Sequence, residues 1–315
     1  MESICRQCGR ISARWSGCFR KKISVWCMRA HAHRLGRPIT LPALQYSVYH
    51  HFHGRYNTLG LGKKTYNSVM TRGAKVIAIS EFIRDHILST YPQCPAERIE
   101  VIYRGADLKH FNAEALRGGI LANLAQEWHL ADETRPIILL PARLNQSKGQ
   151  KELIRALAKI RDREFIALLV GKADQHTDYQ QELRELVRHK NLEDRIRFLP
   201  STTYMAEAYA LSDMVVAPAI QPEAFGRVAV EAQAMGRIVI ATDHGGVRET
   251  VLNGKTGLLV PPGDIDALAR AILNVLNMTA ERRTEIGRAG VEHVRSKFSI
   301  LRMQQKTLAL YESLI

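Results

Sequence analysis

The sequence predicts an α/β fold in which two doubly wound parallel sheets follow one another, the first of them incomplete. Three observations favour this fold. The chain has 315 residues, 46% of them hydrophobic, which is enough for two domains with sizeable cores. From about residue 135, short apolar runs alternate with helical segments, as in parallel sheets. Only about 110 residues, with about three such steps, precede the segment that links the two parts, fewer than the ~150 residues typical of a complete domain.

The first part of the chain supplies three predicted strands and two helices. The strands are predicted at Ser47–His53, Ala74–Ser80 and Ile99–Tyr103, and the helices at Lys64–Thr71 and Glu81–Tyr91. A linking helix is predicted near Ala113–His129. The opening residues 1–22 are rich in Cys and Arg without a clear period, so we predict no first strand there.

The second part has the clearer alternation. Six apolar runs are predicted as strands, namely Ile137–Pro141, Phe165–Gly171, Ile196–Leu199, Met214–Pro218, Ile238–Thr242 and Gly257–Val260. The segments between and after them are predicted as helices, namely Gly149–Arg161, Asp178–His189, Met205–Leu211, Arg227–Met235, Val247–Leu252, Asp264–Leu276, Ala280–Lys297 and Arg302–Leu314. This order predicts a doubly wound parallel sheet.

The charge of the chain is concentrated near its start. Residues 3–80 contain 14 Lys and Arg and no Asp or Glu, whereas the remaining 31 basic residues balance 31 acidic ones. A basic block of this kind suits an anionic membrane surface or a nucleic acid, or it is a solvated face. Because residues 3–80 contain no known nucleic-acid recognition motif, we expect no nucleic-acid partner.

The cysteines and the apolar segments indicate the compartment. Cys5 and Cys8 have the spacing of half a zinc site, but no second close pair follows, so a zinc site is the weaker interpretation. The five cysteines form no recognisable disulfide framework, which favours a reducing cytosol. We see neither a secretory signal nor an apolar stretch of membrane-spanning length. The predicted location is therefore cytoplasmic.

Two glutamates stand eight residues apart in the segment Pro222–Ala232. Glu223 follows a predicted strand, and Glu231 lies on the second turn of the predicted helix that comes next. Both carboxylates can face the cleft at the carboxyl end of a parallel sheet, where they can accept hydrogen bonds from sugar hydroxyls. Phe225 and Gly226 open the helix and leave N–H groups for an anion. The alternative is an ordinary acidic helix start.

Two cations follow the strand at Ile137–Pro141. Arg143 and Lys148 are five residues apart across a turn, and a helix begins after Gly149. Such a pair can hold a diphosphate, the arginine through its planar fork and the lysine as a point charge. The alternative is a pair of surface cations.

Two further segments carry weaker signals. Gly245 and Gly246 follow the strand at Ile238–Thr242 and allow close approach of a ligand to the backbone, or they form a plain tight turn. His53 ends a strand of the first part and can face a cleft between domains, although a lone histidine is more often structural.

Taken together, these segments resemble glycosyltransferase family 4, the group 1 transferases with the GT-B fold. The resemblance runs from about His31 to the C-terminus and is densest over residues 137–263. It is carried by VIAISEFIRDHI, RIEVIYRGADLKHFN, LLPARLNQSKG, PEAFGRVAVEAQAMG and IVIATDHGGVRETVLNGKTGLLVPPGD, in this order. The implied fold is two Rossmann-like domains facing a cleft. Residues 1–115 would form a partial acceptor domain, residues 116–300 the nucleotide-sugar domain, and residues 301–315 a helix that packs back on the first domain.

The resemblance also implies the donor site. In the family the C-terminal domain holds a nucleotide sugar, here a UDP-sugar or a GDP-sugar. Arg143 and Lys148 would hold its diphosphate, Glu231 the ribose hydroxyls and Glu223 the donor sugar. The loop Ala224, Phe225 and Gly226 would support the sugar or the phosphate through its amides.

A catalytic role is implied for Glu223, His53, Arg143 and Lys148. The resemblance also implies that no metal is needed, because this fold class usually acts without one, so we expect no metal and no other cofactor. The two cations would then stabilise the leaving diphosphate.

The predicted function is retaining transfer of a sugar from a nucleotide-diphosphate donor to a hydroxyl of a glycan or lipid-linked acceptor, in cell-envelope polysaccharide or lipopolysaccharide synthesis. Residues 3–80 would contact the inner face of the cytoplasmic membrane. Members of the family begin with a strand and a glycine-rich loop at the donor phosphate, and we identify no such segment here. The alternative is therefore a catalytically impaired remnant that binds nucleotide sugar without transfer.

Overall fold

The computed structural model describes residues 49–56, 62–173 and 178–313, and it contains two parallel sheets. The N-terminal region, the described residues up to 115, holds a three-stranded sheet. The C-terminal region, residues 116–313 without the undescribed residues 174–177, holds a six-stranded sheet. The predicted α/β class is confirmed. The cysteines near the start, most of the basic block and residues 1–22, where no first strand is predicted, lie outside the described residues.

The N-terminal sheet is formed by β1 (Tyr49–Phe52), β2 (Lys75–Ala78) and β3 (Ile99–Val101). Its helices are α1 (Lys63–Ser68), continued by a 3₁₀ turn over Val69–Thr71, and α2 (Glu81–Thr90). In register, His51 lies opposite Ile77, and Ile77 opposite Glu100. Both pairings, β1 with β2 and β2 with β3, are parallel, as the alternation predicts.

The C-terminal sheet has all six strands that the sequence predicts, each within about one residue of its predicted limits. They are β4 (Ile137–Pro141), β5 (Ile166–Val170), β6 (Ile196–Leu199), β7 (Met214–Ala217), β8 (Ile238–Thr242) and β9 (Leu258–Val260). In the sheet they lie in the order β6-β5-β4-β7-β8-β9. The helices are α3 (Gly118–Glu127), α4 (Gln150–Lys159), α5 (Tyr179–His189), α6 (Met205–Leu211), α7 (Arg227–Ala234), α8 (Val247–Thr250), α9 (Ile265–Leu276), α10 (Ala280–Lys297) and α11 (Ile300–Glu312).

Strand β4 shows why these apolar runs form a central sheet. All five of its residues are buried, because helices cover both faces. Ile138 and Leu140 pack into the core beneath α4 and α9, whereas Leu139 packs into the core on the opposite face with α6 and α7. Side chains alternate between the faces of a strand, so one continuous apolar run supplies two cores.

The linking helix predicted at Ala113–His129 is wrong in its first part. A 3₁₀ turn occupies Ala113–Ala115, and α3 begins only at Gly118. Leu116 and Arg117 between them are extended, with ψ values of 139° and 113°. Glycine is a poor helix former in an interior, so the Gly118-Gly119 pair is better placed in a first turn than within one long helix.

The C-terminal end of the chain contacts the N-terminal region. Ala106 N–H donates to the Phe298 carbonyl over 2.7 Å, and Ile300 N–H donates to the Ala106 carbonyl over 3.1 Å. In α11, the Tyr311 hydroxyl lies 3.4 Å from His51 Nε2. These contacts bring the last two helices and the first sheet together, while the domain boundaries near residues 115 and 300 stay a prediction.

One apolar cluster joins the two regions. It contains Phe52 and Val76 from the first sheet, Phe225 and Val230 from the start of α7, and Phe298 after α10. Because all five side chains are buried, the two regions share a core at this junction and hold the facing edges of their sheets close together. Within the described part of the chain, no helix combines the length and apolarity needed to cross a bilayer.

Candidate active site

A cavity of about 520 Å³ lies between the two regions, at the carboxyl ends of strands from both sheets. Open α/β sheets bind ligands at this edge. All eight residues that the sequence singles out line it: His53, Arg143, Lys148, Glu223, Ala224, Phe225, Gly226 and Glu231. The tertiary structure thus brings together every predicted site residue, while their individual roles stay predictions.

The loop from Glu223 to Gly226 is fixed through its carbonyl groups. Gly246 N–H donates to the Glu223 carbonyl over 2.8 Å, and Ser80 Oγ donates to the Ala224 carbonyl over 2.6 Å. A Cβ on Gly246 would lie 2.5 Å from the Ala224 oxygen, so the glycine is required for this contact. The close approach that the glycine pair allows is therefore that of the Glu223–Gly226 loop.

The amide groups at the start of α7 remain available to a ligand. Gly226 has φ of 84° and precedes the helix, a conformation that glycine adopts without strain. Phe225 is buried, 5.6 Å between ring centroids from Phe298, and anchors the turn. Among the described residues, the N–H groups of Phe225 and Gly226 have no acceptor. The first amides of a helix favour an anion.

Lys148 forms an ion pair with the Glu223 carboxylate. Lys148 belongs to a 3₁₀ turn, which Asn145 begins by accepting a hydrogen bond from Ser147 N–H at 3.1 Å. Gly149 ends the turn with φ of 74°, and a Cβ there would lie 1.8 Å from the Pro218 oxygen. The predicted phosphate ligand and the predicted sugar ligand are therefore direct neighbours, and each neutralises the other in this structure.

Arg143 is exposed at the rim of the cavity. Its carbonyl accepts a hydrogen bond from Gln150 Nε2 over 2.9 Å, and Gln150 is completely buried. On the other side of this amide, Tyr179 donates to Gln150 Oε1 over 3.5 Å. Gln150 thus fixes the backbone that carries Arg143, while the guanidinium has no partner among the described residues.

Glu231 lines the same cavity from α7 and is half-buried. Tyr209 donates to its Oε2 over 3.0 Å, and Oε1 has no partner among the described residues. Burial raises the pKa of Glu231, while the Tyr209 hydrogen bond and the charges of Arg227, His110 and Arg104 oppose that rise. A carboxylate with one oxygen held and one open can accept a hydrogen bond from a ligand hydroxyl.

His53 is the contribution of β1 to the cavity. It follows the strand directly, is exposed and lines the cavity from the N-terminal region. Its ring stacks on that of His51 with 5.7 Å between centroids and 16° between planes. The prediction that this histidine faces a cleft between the two sheets therefore agrees with its position.

Among the residues that line the cavity but were not predicted as site residues are Arg104, Tyr209 and Arg227. Arg227 lies inside the quoted motif between Gly226 and Glu231, so the motif itself could have shown it. Arg104 follows β3 in the segment RIEVIYRGADLKHFN, where a strand-end signal was present. Tyr209 carries no signal, because only the fold brings α6 beside α7.

The cavity has a net positive lining. Five basic side chains, those of Arg104, Arg143, Lys148, Lys172 and Arg227, stand against the two carboxylates Glu223 and Glu231, a net of +3. A positive cleft attracts anions of the charge of a nucleoside diphosphate. No cluster of His, Cys, Asp or Glu that could hold a metal occurs within residues 49–56, 62–173 and 178–313. Metal-free action stays a prediction.

The fold and the cavity define a member of the GT-B class of glycosyltransferases. The sequence model described as glycosyl transferases group 1 matches residues 124–293, more than half of the chain, and that described as glycosyltransferase family 4 matches residues 20–110. The chain belongs to the group 1 glycosyltransferases, as the resemblance predicted.

Curated relatives include alpha-maltose-1-phosphate synthase of Mycolicibacterium smegmatis, which is 30% identical over 247 residues, 75% of this chain and 62% of the relative. A GDP-mannose-dependent phosphatidylinositol monomannoside mannosyltransferase of Mycobacterium tuberculosis is 30% identical over 71% of this chain and 57% of its own length. The chain thus spans about three fifths of the length of the curated relatives that it matches.

Solved structures give the same picture. A glycosyltransferase of Rickettsia africae superposes with a TM-score of 0.79 and 34% identity, covering 85% of this chain and 70% of that one. HepE of Anabaena in complex with UDP-glucose superposes with a TM-score of 0.76 and 27% identity, covering 85% and 72%. Both matches extend over the N-terminal and the C-terminal region.

Proposed function

We propose that the protein is a retaining glycosyltransferase that moves a sugar from a nucleotide-diphosphate donor to an acceptor hydroxyl. The observation that carries the proposal is the meeting of Glu223, Glu231, Arg143 and Lys148 in one cavity, with His53 entering from the other sheet. Acidic groups suit the hydroxyls of the sugar and the ribose, and basic groups suit the diphosphate.

In the proposed reaction, the bond between the anomeric carbon and the diphosphate oxygen breaks. The acceptor oxygen forms its bond to the same carbon on the same face, and its proton goes to an oxygen of the departing diphosphate. Arg143 and Lys148 stabilise the negative charge that develops on that group. Neither a metal nor another cofactor is needed for this sequence of steps.

The Lys148–Glu223 ion pair has a defined part in this scheme. When the diphosphate binds, it competes for Lys148 and releases the Glu223 carboxylate toward the donor sugar. Glu231, with Oε2 held by Tyr209, offers Oε1 to a ribose hydroxyl. The amides of Phe225 and Gly226 add donors for a phosphate or a sugar oxygen.

A UDP-sugar or a GDP-sugar is the proposed donor, and a glycan or lipid-linked hydroxyl is the proposed acceptor, in cell-envelope polysaccharide or lipopolysaccharide synthesis. The HepE complex contains UDP-glucose, and the M. tuberculosis relative is named for GDP-mannose and a phosphatidylinositol mannoside, which supports both choices. We place the protein in the cytoplasm, with the basic residues 3–80 against an anionic membrane surface.

A second candidate is a remnant that binds nucleotide sugar and transfers nothing. The cavity described above would be the same in both cases.

The test is a transfer assay with radiolabelled UDP-glucose and GDP-mannose on a pool of membrane lipids and glycans. Labelled product and free nucleoside diphosphate are expected, and both should fall at least 100-fold in Glu223→Gln, while Glu193→Gln on an exposed turn keeps full activity. Donor binding without product on any acceptor supports the remnant. If neither donor binds, both candidates are wrong.

A further inference from the structure

Two arginines from opposite sides of the cavity stand next to Glu231. Arg104 follows β3 and belongs to the N-terminal region, whereas Arg227 is the first residue of α7 in the C-terminal region. Both line the cavity that also contains Glu231. Neither belongs to the Arg143–Lys148 clamp, so they are a second group of cations in the same space.

Neither guanidinium has a partner in the described part of the chain. Arg104 is half-buried, yet no hydrogen bond or ion pair holds its side chain there, and the same is true of the more exposed Arg227. A guanidinium carries five donors, and leaving them unsatisfied in a partly buried place costs free energy. Burial, and then the like charge of Arg227, lower the pKa of Arg104.

Glu231 does not satisfy both arginines. Its Oε2 already accepts from Tyr209, and neither guanidinium lies within ion-pair distance of it. One carboxylate also leaves one positive charge uncompensated. An anion with several oxygens would relieve the repulsion between the two arginines and fill their donors, which a phosphate group does through bidentate contacts.

We propose that Arg104 and Arg227 form a phosphate-binding subsite that is complete only when both regions contribute. The phosphate belongs either to the donor diphosphate or to an acceptor that carries a phosphate group. The identity of the whole ligand rests on the proposed function, whereas the phosphate chemistry rests on the two side chains. Since Lys148 is engaged by Glu223, this subsite supplies cations that are already free before the ligand arrives.

The first experiment measures binding of inorganic pyrophosphate to the full chain by calorimetry at fixed ionic strength, without nucleotide. Arg104→Gln and Arg227→Gln should each weaken binding at least tenfold, and Arg104→Lys should retain part of the affinity because the charge remains. Arg288→Gln is the matched control, since Arg288 is exposed on α10 and outside the cavity. Circular dichroism verifies that each variant is folded.

The second experiment separates the two sources of the phosphate. If it belongs to the donor, both glutamine variants lose at least tenfold affinity for UDP and GDP but bind the nucleosides as before. If it belongs to the acceptor, nucleoside diphosphate affinity is unchanged, and transfer to a phosphorylated acceptor falls tenfold more than transfer to its dephosphorylated form.

Some results would overturn the subsite. One is pyrophosphate affinity equal in the unaltered protein and in both glutamine variants, and another is no pyrophosphate binding at all. The subsite and the proposed function can fail separately. If the unaltered protein binds pyrophosphate, both variants lose this binding and no nucleotide binds, the subsite is supported and the transferase is refuted. If nucleotide binding, pyrophosphate binding and transfer are unchanged by both substitutions, the transferase is supported and the subsite is refuted.

Discussion

The Glu249 carboxylate joins the two regions beside the cavity, and its removal has a calculable effect. Glu249 lies on α8, and its two oxygens accept from Glu81 N–H and Phe82 N–H, each over 2.8 Å. These are the first two amides of α2, in the other region. The third amide, that of Ile83, donates to Ser80 Oγ over 3.1 Å. Glu249 is thus a cap for α2 that comes from a different part of the chain.

The cost of removing this cap follows from its geometry. Loss of a side-chain cap costs ~1 kcal/mol, up to ~2, and an anion at a helix N-terminus contributes ~0.3–1 kcal/mol. Glu249 is half-buried, so water can replace part of the lost bonding. We therefore expect Glu249→Ala to lower the local opening free energy of the first turn of α2 by ~2 kcal/mol, and Glu249→Gln by ~1 kcal/mol.

Hydrogen exchange with mass spectrometry measures this locally, so that global two-state unfolding need not be assumed. A change of ~2 kcal/mol corresponds to about 30-fold faster exchange in a peptide covering the start of α2. Glu193→Ala, at an exposed carboxylate without a partner in the described part of the chain, is the control. The capping role of Glu249 is refuted if exchange at the first turn of α2 rises less than threefold in Glu249→Ala. It is also refuted if exchange there rises as much in Glu193→Ala as in Glu249→Ala.

Three further changes test the site and its support. Arg143→Ala combined with Lys148→Ala should abolish most of the preference for UDP over uridine, a loss of roughly 100-fold in UDP affinity by calorimetry; an unchanged ratio rules out the clamp. Glu231→Ala should weaken nucleotide binding ~10-fold and abolish discrimination against a dideoxyribose analogue; discrimination that survives contradicts the ribose role. Arg135, through charge-assisted hydrogen bonds, holds the pKa of Glu133 at about 2, below its ordinary 4.5. Because this pKa is depressed in the folded state, its contribution to stability is fully present above pH 4.5 and is lost as the pH falls toward 2. Glu133→Gln should therefore lower the free energy of unfolding by up to ~2 kcal/mol at pH 7, after allowance for screening, and by progressively less toward pH 3 in thermal melts. A difference in stability that stays constant between pH 7 and pH 3 refutes this assignment.

The central strands were predictable because their sequences leave little choice. A run such as Ile137–Pro141, five apolar residues between polar turns, can only be buried on both faces, and β4 occupies those five residues. The start of a helix after Gly149 was predicted in the same way, and α4 begins at Gln150. The linking segment was predicted wrongly, because the Gly118-Gly119 pair suits the start of a helix better than its interior, and Leu116 before it packs against the C-terminal core.

For the candidate site, the motifs found the residues but not their contacts. The strand-to-helix loops placed Arg143, Lys148, Glu223 and Glu231 at one sheet edge, because carboxyl ends of parallel strands share an edge. The contacts between these side chains could not be predicted. Nothing in the spacing indicates that Lys148 contacts Glu223, or that Tyr209 on a separate helix donates to Glu231.

The order of strands and helices, the family and the side chains at the ends of the strands can all be predicted from the amino-acid sequence, since each depends on residues near one another in the chain. Which distant groups meet depends on the tertiary structure. Ser80 and Glu249 bind partners more than a hundred residues away, and Arg104 enters the cavity from another sheet. Such contacts depend on how two packed regions are oriented, a property of the shared core and not of any local segment.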